Sequence, residues 1–279
     1  MRALIVTADD FGLHERVNEA VIRGHREGVL ACASLMVAAP AARDAVGRAR
    51  QCPSLRVGLH VVLADGLSTL GASRIPALTD ENGWMRDAPL KDGLRYALLP
   101  HVRRQLAEEI RAQFDAFRAT GLALDHVNTH KHLHVHPVVL SLILSIGREY
   151  GMRAMRLPSE ASAPLWLKPW IALTRRRLAR AGIAHNDYVV GMTQTGRLDE
   201  AAWLAALAGI DVNDRRVGEI YCHPAVAGDT PITASMRDYR HADELDALLS
   251  PRVSQALAAA RARGVALGGF SDVFGAGRA

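Results

Sequence analysis

The chain is poor in cysteine: Cys32, Cys52 and Cys222 are odd in number and show no CxxC spacing. That argues against a disulfide framework and against a thiolate zinc site, and it fits a reducing compartment. Long apolar runs are missing too. No stretch reaches the ~20 residues of a membrane-spanning helix, and the first apolar run, Ala3 to Ala8, is too short for the core of a signal peptide, so a cytoplasmic location is expected. No Ser/Gly/Pro-rich linker interrupts the 279 residues, and one catalytic domain over 1–279 is the expectation. The net charge of +5 comes with no nucleic-acid signature, its arginines being spread along helix-like segments, so no nucleic-acid partner is expected. A Gly-rich phosphate cradle is also lacking, which weighs against a phosphoesterase.

What the chain does contain is alternation of short strand-like runs with longer amphipathic segments. Strands are expected over Ala3–Ala8, Ala33–Val37, Arg56–His60, Leu124–Val127, Ala154–Leu157, Asp187–Gly191, Gly218–Cys222 and Val265–Gly268. Helices are expected over Glu15–Glu27, Pro40–Arg50, Pro100–Thr120, Pro137–Tyr150, Pro164–Ala181, Asp199–Leu207 and Ala242–Arg263. Prolines open four of these, where a missing N–H costs nothing, and glycines follow several of them as left-handed caps. The pattern predicts an α/β fold, a distorted (β/α) TIM-like barrel. One stretch, about 64–99, is too long and irregular for a plain βα connection and reads as an insertion over the site.

Two adjacent acids, Asp9 and Asp10, end the first strand-like run, and Gly12 turns the chain just after them. Like charges at the tip of a buried strand are costly, so a bound cation or a proton-transfer role is the expected reason for them. Histidines close three other strand-like runs: His60, His223, and the tract His130, His132, His134 and His136. Taken singly, each has a bland explanation, since acids can cap a turn, a His tract can be a solvated loop, and His223 before Pro224 can be turn chemistry. In a barrel, however, all these strand ends share one rim. One carboxylate and two imidazoles make a ligand set for one divalent ion, zinc, magnesium, manganese or cobalt, and the remaining acid is free to act as a base in hydrolysis.

The stretches Thr7-Ala8-Asp9-Asp10-Phe11-Gly12, Val57-Gly58-Leu59-His60, Asn128-Thr129-His130-Lys131-His132-Leu133-His134 and Cys222-His223-Pro224 resemble the YdjC-like carbohydrate deacetylases. The resemblance implies a distorted barrel that removes N-acetyl groups from sugars with a divalent metal. Asp10, His60 and His130 then look like the metal ligands and Asp9 like the general base. His134, four residues beyond His130, is left as an additional ligand or a residue supporting one. Lys131 stands where the family's tract commonly has histidine. Ala33-Ser34-Leu35-Met36-Val37, Arg103-Arg104-Gln105-Leu106 and Asp125-His126-Val127-Asn128 look like the hopanoid-biosynthesis branch, which implies an N-acetylglucosaminyl hopanoid as substrate.

On this reading Asp9 takes a proton from the attacking water, and His223 or another rim histidine protonates the departing amine. A soluble N-acetylated oligosaccharide such as chitobiose is the alternative substrate. A non-catalytic metal or sugar-lipid binding protein is the alternative function, against which the spare acid Asp9 weighs. The segment 164–181 sets Leu165, Trp166, Leu167, Trp170, Ile171 and Leu173 beside Arg175, Arg176, Arg177 and Arg180. By itself the segment reads as an ordinary barrel helix with its tryptophans in the core or at a homodimer contact, and a lipid-linked substrate turns the reading toward peripheral contact with the inner face of a membrane.

Overall fold

In the computed structural model, which describes residues 2–210 and 214–275, the opening run becomes β1 (Ala3–Phe11), buried along its whole length. Such a strand needs no polar alternation on one face, and Ala3 to Val6 shows none. The chain continues through α1 (Glu15–Arg26), β2 (Cys32–Leu35), α2 (Ala42–Arg50), β3 (Arg56–Val61), α3 (Pro89–Leu98), α4 (Pro100–Ala119), β4 (Leu124–Thr129) and α5 (Pro137–Glu149). It ends with α6 (Lys168–Arg180), β5 (Tyr188–Val190), α7 (Glu200–Ala208), β6 (Val217–Cys222), α8 (His241–Leu249), α9 (Pro251–Ala262), β7 (Ala266–Leu267) and α10 (Phe270–Gly275).

All the strand pairings are parallel, in the order β4-β3-β2-β1-β6-β5, with β7 beside the first residues of β1. The sheet curls. From β4, hydrogen bonds run on through Val127 to Ala154 and Arg156, and from Met155 and Arg153 to Ala184, which leads into β5. With helices around it, this is a single α/β domain of the distorted TIM-like barrel kind. Leu4, Val6, Leu35, Leu59 and Val127 are buried, each contributing about 1.5–3 kcal/mol relative to exposure.

Three local departures from the expected elements have identifiable causes. The strand expected at Ala154–Leu157 forms only single bridges, Val127 with Met155 and Ala154 with Ala184. The Asn186 side chain takes over both backbone groups of Leu157, so no neighbouring strand is needed there. The helix expected over Ala242–Arg263 is two helices, because Pro251 brings no N–H and holds Ser250 extended (φ −63°, ψ 125°). Within 64–99 the chain makes antiparallel bridges at Leu67–Trp84 and Thr79–Met85 and then α3, begun by Pro89.

Candidate metal and catalytic site

β1 delivers both acids to the site by breaking its own regularity. Successive side chains of a strand point to opposite faces, so Asp9 and Asp10 should diverge. Instead the register with β2 shifts between Ala8 and Phe11, and Asp10 adopts a left-handed backbone (φ 64°). This bulge leaves both carboxylates buried on the barrel interior. A non-glycine residue held there costs about 1–3 kcal/mol, strain of the kind that collects at functional sites. Gly12, also at positive φ (97°), completes the turn where an added Cβ would meet the Met36 carbonyl at 3.0 Å.

Asp10, His60 and His130 meet. Asp10 Oδ1 lies 3.2 Å from His60 Nε2 and 3.2 Å from His130 Nδ1, and the two nitrogens are 3.4 Å apart. Neither Asp10 oxygen has a hydrogen-bond partner although both are buried. Three donor atoms from three strand ends are thus spaced as ligands ~2.0–2.1 Å from one tetrahedral ion would be, about 3.3 Å apart. The group fits a divalent cation, which would give the orphaned carboxylate its missing partner. Burial would raise the Asp10 carboxyl, but His130 and His60 hold it well below the usual carboxylate range. Burial lowers the His60 imidazole, but Asp9 and Asp10 outweigh it and raise the group.

Asp9 lies beside the triad. Its Oδ1 accepts from Asn128 Nδ2 (3.0 Å) and Arg156 Nη2 (3.0 Å), and its Oδ2 accepts from Arg156 Nη1. Arg156 is fully buried, donates also to Glu219 Oε1 (2.7 and 3.0 Å), and stacks its guanidinium 4.4 Å from the centre of the Tyr221 ring. Burial alone would raise the Asp9 carboxyl, yet Arg156 and then His60 keep it ionised far below its ordinary value. Arg156 and Glu219 were not singled out from the sequence, and Asn128 only as part of a motif, without a role. For two of them the signal is period two: Asn128 precedes His130 and Glu219 precedes Tyr221 by two residues, as Thr7 precedes Asp9, which puts each pair on one strand face.

His223 Nδ1 has no partner, and burial lowers its imidazole despite the opposing pull of Asp10 and Asp9. Its backbone N–H donates to Glu244 (2.5 Å), and its carbonyl faces His241 Nδ1 at 2.5 Å. His134 is not brought into the triad: its Nδ1 pairs with Thr129 Oγ1 at 2.7 Å, and burial, with Arg156, pushes it down to about 3. Lys131 and His132 occupy consecutive left-handed positions (φ 55° and 54°). That twist sends His132 Nε2 to the Tyr221 hydroxyl (2.9 Å) and the Lys131 ammonium to Asp65 (2.9 Å) and Asp87 (2.5 Å), tying the tract to the inserted segment. A cavity of about 290 Å³ opens above these groups, lined by Asp9, His60, His130, Tyr221, His223 and Tyr239 among others.

Residues 3–259 match the model of the YdjC-like protein family. The chain belongs to that family. YdjC-like relatives include a carbohydrate deacetylase of Brevibacillus brevis, 32% identical over 260 residues, covering 90% of this chain and 93% of the relative. A chitooligosaccharide deacetylase of Serratia marcescens is 31% identical over 279 residues, covering 98% and 99%. Among solved structures, a protein of Enterococcus faecalis assigned provisionally to cellobiose-phosphate cleavage shares the fold (TM-score 0.74, 22% identity, 98% of each chain).

Elsewhere on this YdjC-like chain, a larger cleft of about 970 Å³ lies along α6, β5 and α7 and shares no residue with the cavity over the triad. The large apolar side chains exposed among the described residues fall in two segments: Leu94, Leu98 and Leu99 at α3, and Leu165, Trp166, Trp170 and Leu173 at α6 and the turn before it. Trp166 is 70% exposed and Leu98 70%. The start of α5 lies between the two, with His136 against Gly93 on one side and the Pro137 carbonyl accepting from Arg177 on the other. Among the described residues, no helix is long and apolar enough to cross a membrane.

Proposed function

We propose that this YdjC-like protein is a carbohydrate deacetylase, a hydrolase that cleaves the amide C–N bond of an N-acetylglucosaminyl group, working as one catalytic domain whose 64–99 segment covers the site. The observation that carries the reading is the meeting of Asp10, His60 and His130 within 3.4 Å of one another, with Asp9 alongside but held by other partners. In this reading Asp10, His60 and His130 hold one divalent ion, zinc, magnesium, manganese or cobalt. Such an ion, when bound, would polarise the acetyl carbonyl and make water more acidic.

Asp9, ionised and aimed by Arg156 and Asn128, takes a proton from the attacking water. The water oxygen adds to the acetyl carbon, the C–N bond breaks, and the departing nitrogen takes up a proton. In this reading His223, which lines the cavity with an unpartnered Nδ1, gives that proton from its protonated form, which burial disfavours and the neighbouring Asp10 and Asp9 favour. Tyr239, half-buried where it lines the cavity, offers a flat face against which a sugar ring can stack.

The finer reading is a lipid-linked sugar, the head group of a hopanoid, met at the inner face of a membrane. What supports it is the pair of exposed apolar segments flanking α5, set among Lys91, Arg103, Arg104, Lys168, Arg176 and Arg180, all exposed, which suits an anionic lipid surface. A soluble chitooligosaccharide is the second reading, favoured by the Serratia marcescens relative that this chain matches over nearly its whole length. Parallel assays on N-acetylglucosaminyl hopanoid and on N,N′-diacetylchitobiose, each reading acetate and free amine, test both. Acetate from neither substrate would overturn the deacetylase reading, and a rate on chitobiose equal to that on the hopanoid would overturn the lipid-linked one.

A further inference from the structure

The barrel interior contains a continuous hydrogen-bonded chain running from the C-terminal helix to the triad. Asp125 Oδ2 meets His126 Nδ1 at 2.8 Å, His126 Nε2 meets Ser34 Oγ at 3.0 Å, and Asn128 Nδ2 lies 2.9 Å from Ser34 Oγ and 3.0 Å from Asp9 Oδ1. Asn128 Oδ1 then meets His60 Nδ1 at 2.7 Å. Five of the six residues are at most 2% exposed, and Asp125 is 6% exposed. Gly58 makes room for the chain, since a Cβ there would stand 2.5 Å from the His126 ring.

The direction of every proton in this chain follows from its two acidic ends. Asp125 accepts the backbone N–H groups of Phe270 and Ser271 and the Ser271 hydroxyl, the pattern of an ionised carboxylate capping α10. His126 Nδ1 must therefore donate to it, and in the neutral imidazole Nε2 is an acceptor for the Ser34 hydroxyl. From the other end, the ionised Asp9 requires an N–H, which turns the Asn128 amide nitrogen toward Asp9 and Ser34 and its oxygen toward His60. Ser34 receives one hydrogen bond and gives one. The two derivations agree at Ser34, and both leave His60 Nδ1 as a donor, so that Nε2, which faces Asp10 and His130, is the nitrogen available to a cation.

We infer that Ser34 and His126 are positioning residues: with Asp125 and Asn128 they fix the tautomer and ring orientation of His60 for a cation and hold Asp9 in line with it. Partners behind a ligating histidine commonly change metal affinity 10–100-fold, and here that support extends through four side chains to a helix cap. The inference rests on the reading of Asp10, His60 and His130 as metal ligands. Neither residue touches the cavity, so neither acts on substrate.

The test is Ser34→Ala in the full-length protein, read by Zn²⁺ affinity in competition with a chromogenic chelator and by solvent exchange of the His60 Nδ1 proton in ¹H–¹⁵N spectra. The expected result is roughly tenfold or greater loss of Zn²⁺ affinity with faster exchange, both restored by Ser34→Thr, which keeps the hydroxyl. Wild-type affinity and exchange in a folded Ser34→Ala protein, or equal losses in Ser34→Thr, would overturn it. If Ser34→Ala does not fold, His126→Gln decides by the same two readouts. A wild-type protein that takes up no Zn²⁺ counts against the ligand reading rather than the chain, which exchange protection then decides by itself.

Discussion

Arg156→Met removes the one buried cation that Asp9 and Glu219 share. In the wild type its guanidinium donates to both oxygens of Asp9 and twice to Glu219 Oε1, in a setting closed to solvent. Methionine fills much of the same volume but leaves two buried carboxylates uncompensated, a change that costs about 3–5 kcal/mol. At ~2.1 cal/mol/K per residue, a 279-residue chain unfolds with an entropy near 0.6 kcal/mol/K, so Tm should fall by about 5–9 °C. The sign of the pH effect is also fixed: without Arg156 the Asp9 carboxyl rises from its lowered value, so the acid limb of the activity profile moves to higher pH. Scanning calorimetry and a pH–rate profile measure the two effects. Replacing Glu219 by Leu in the same protein should recover part of the lost stability by deleting one stranded charge. A single variant within 2 °C of wild type, or a double variant that falls further, would refute the charge argument.

Other perturbations separate the remaining roles. Asp9→Asn should lower kcat about 10²–10⁴-fold with metal binding retained, whereas Asp10→Ala should weaken both, and equal metal loss in the two would contradict the division. Burial pushes the Glu244 carboxyl from an ordinary 4.5 up to about 7 against the pull of the Leu198 and His223 N–H groups. Because the folded state then holds the extra proton, this residue makes stability fall, by up to roughly 3 kcal/mol, as pH rises from about 4.5 to 7. Denaturant titrations of wild type and Glu244→Gln across that range should show the slope and its loss. Trp166→Ser with Leu98→Ser should reduce sedimentation with phosphatidylglycerol vesicles while sparing acetate release from a soluble substrate. Unchanged vesicle binding removes the support for membrane contact, and a change in oligomeric state instead assigns the apolar surface to a second copy of the chain.

How much of this was legible in the sequence depends on the range of the interaction. The strand ends were legible because a parallel barrel needs only a buried run and a turn at each, and Asp9, Asp10, His60, His130 and His223 all stand at such ends. Arg156 was hidden because its stretch reads as an ordinary strand, while its role depends on Asp9 and Glu219, 147 and 63 residues away. The bulge at Asp10 was hidden for a different reason. Aspartate tolerates the left-handed region better than most residues but nothing in the sequence demands it there, so the surrounding packing decides. The His tract looked like one functional unit, but its two left-handed residues split it: His130 faces Asp10, His132 faces Tyr221, and His134 pairs with Thr129. Spacing along the chain could not reveal that division. Pro251, by contrast, carried its break openly, and a stricter reading of the residue before proline separates α8 from α9.

The central claim is that three strand-end ligands and one neighbouring acid make an amide hydrolase of this barrel. Its most direct test is acetate release from N-acetylglucosaminyl substrates by the purified protein, before and after a chelator and again after a divalent ion is restored. The account predicts acetate and free amine in equal amounts, lost on chelation and regained with the ion. Acetate release that survives complete chelation, or none under any metal, would contradict it.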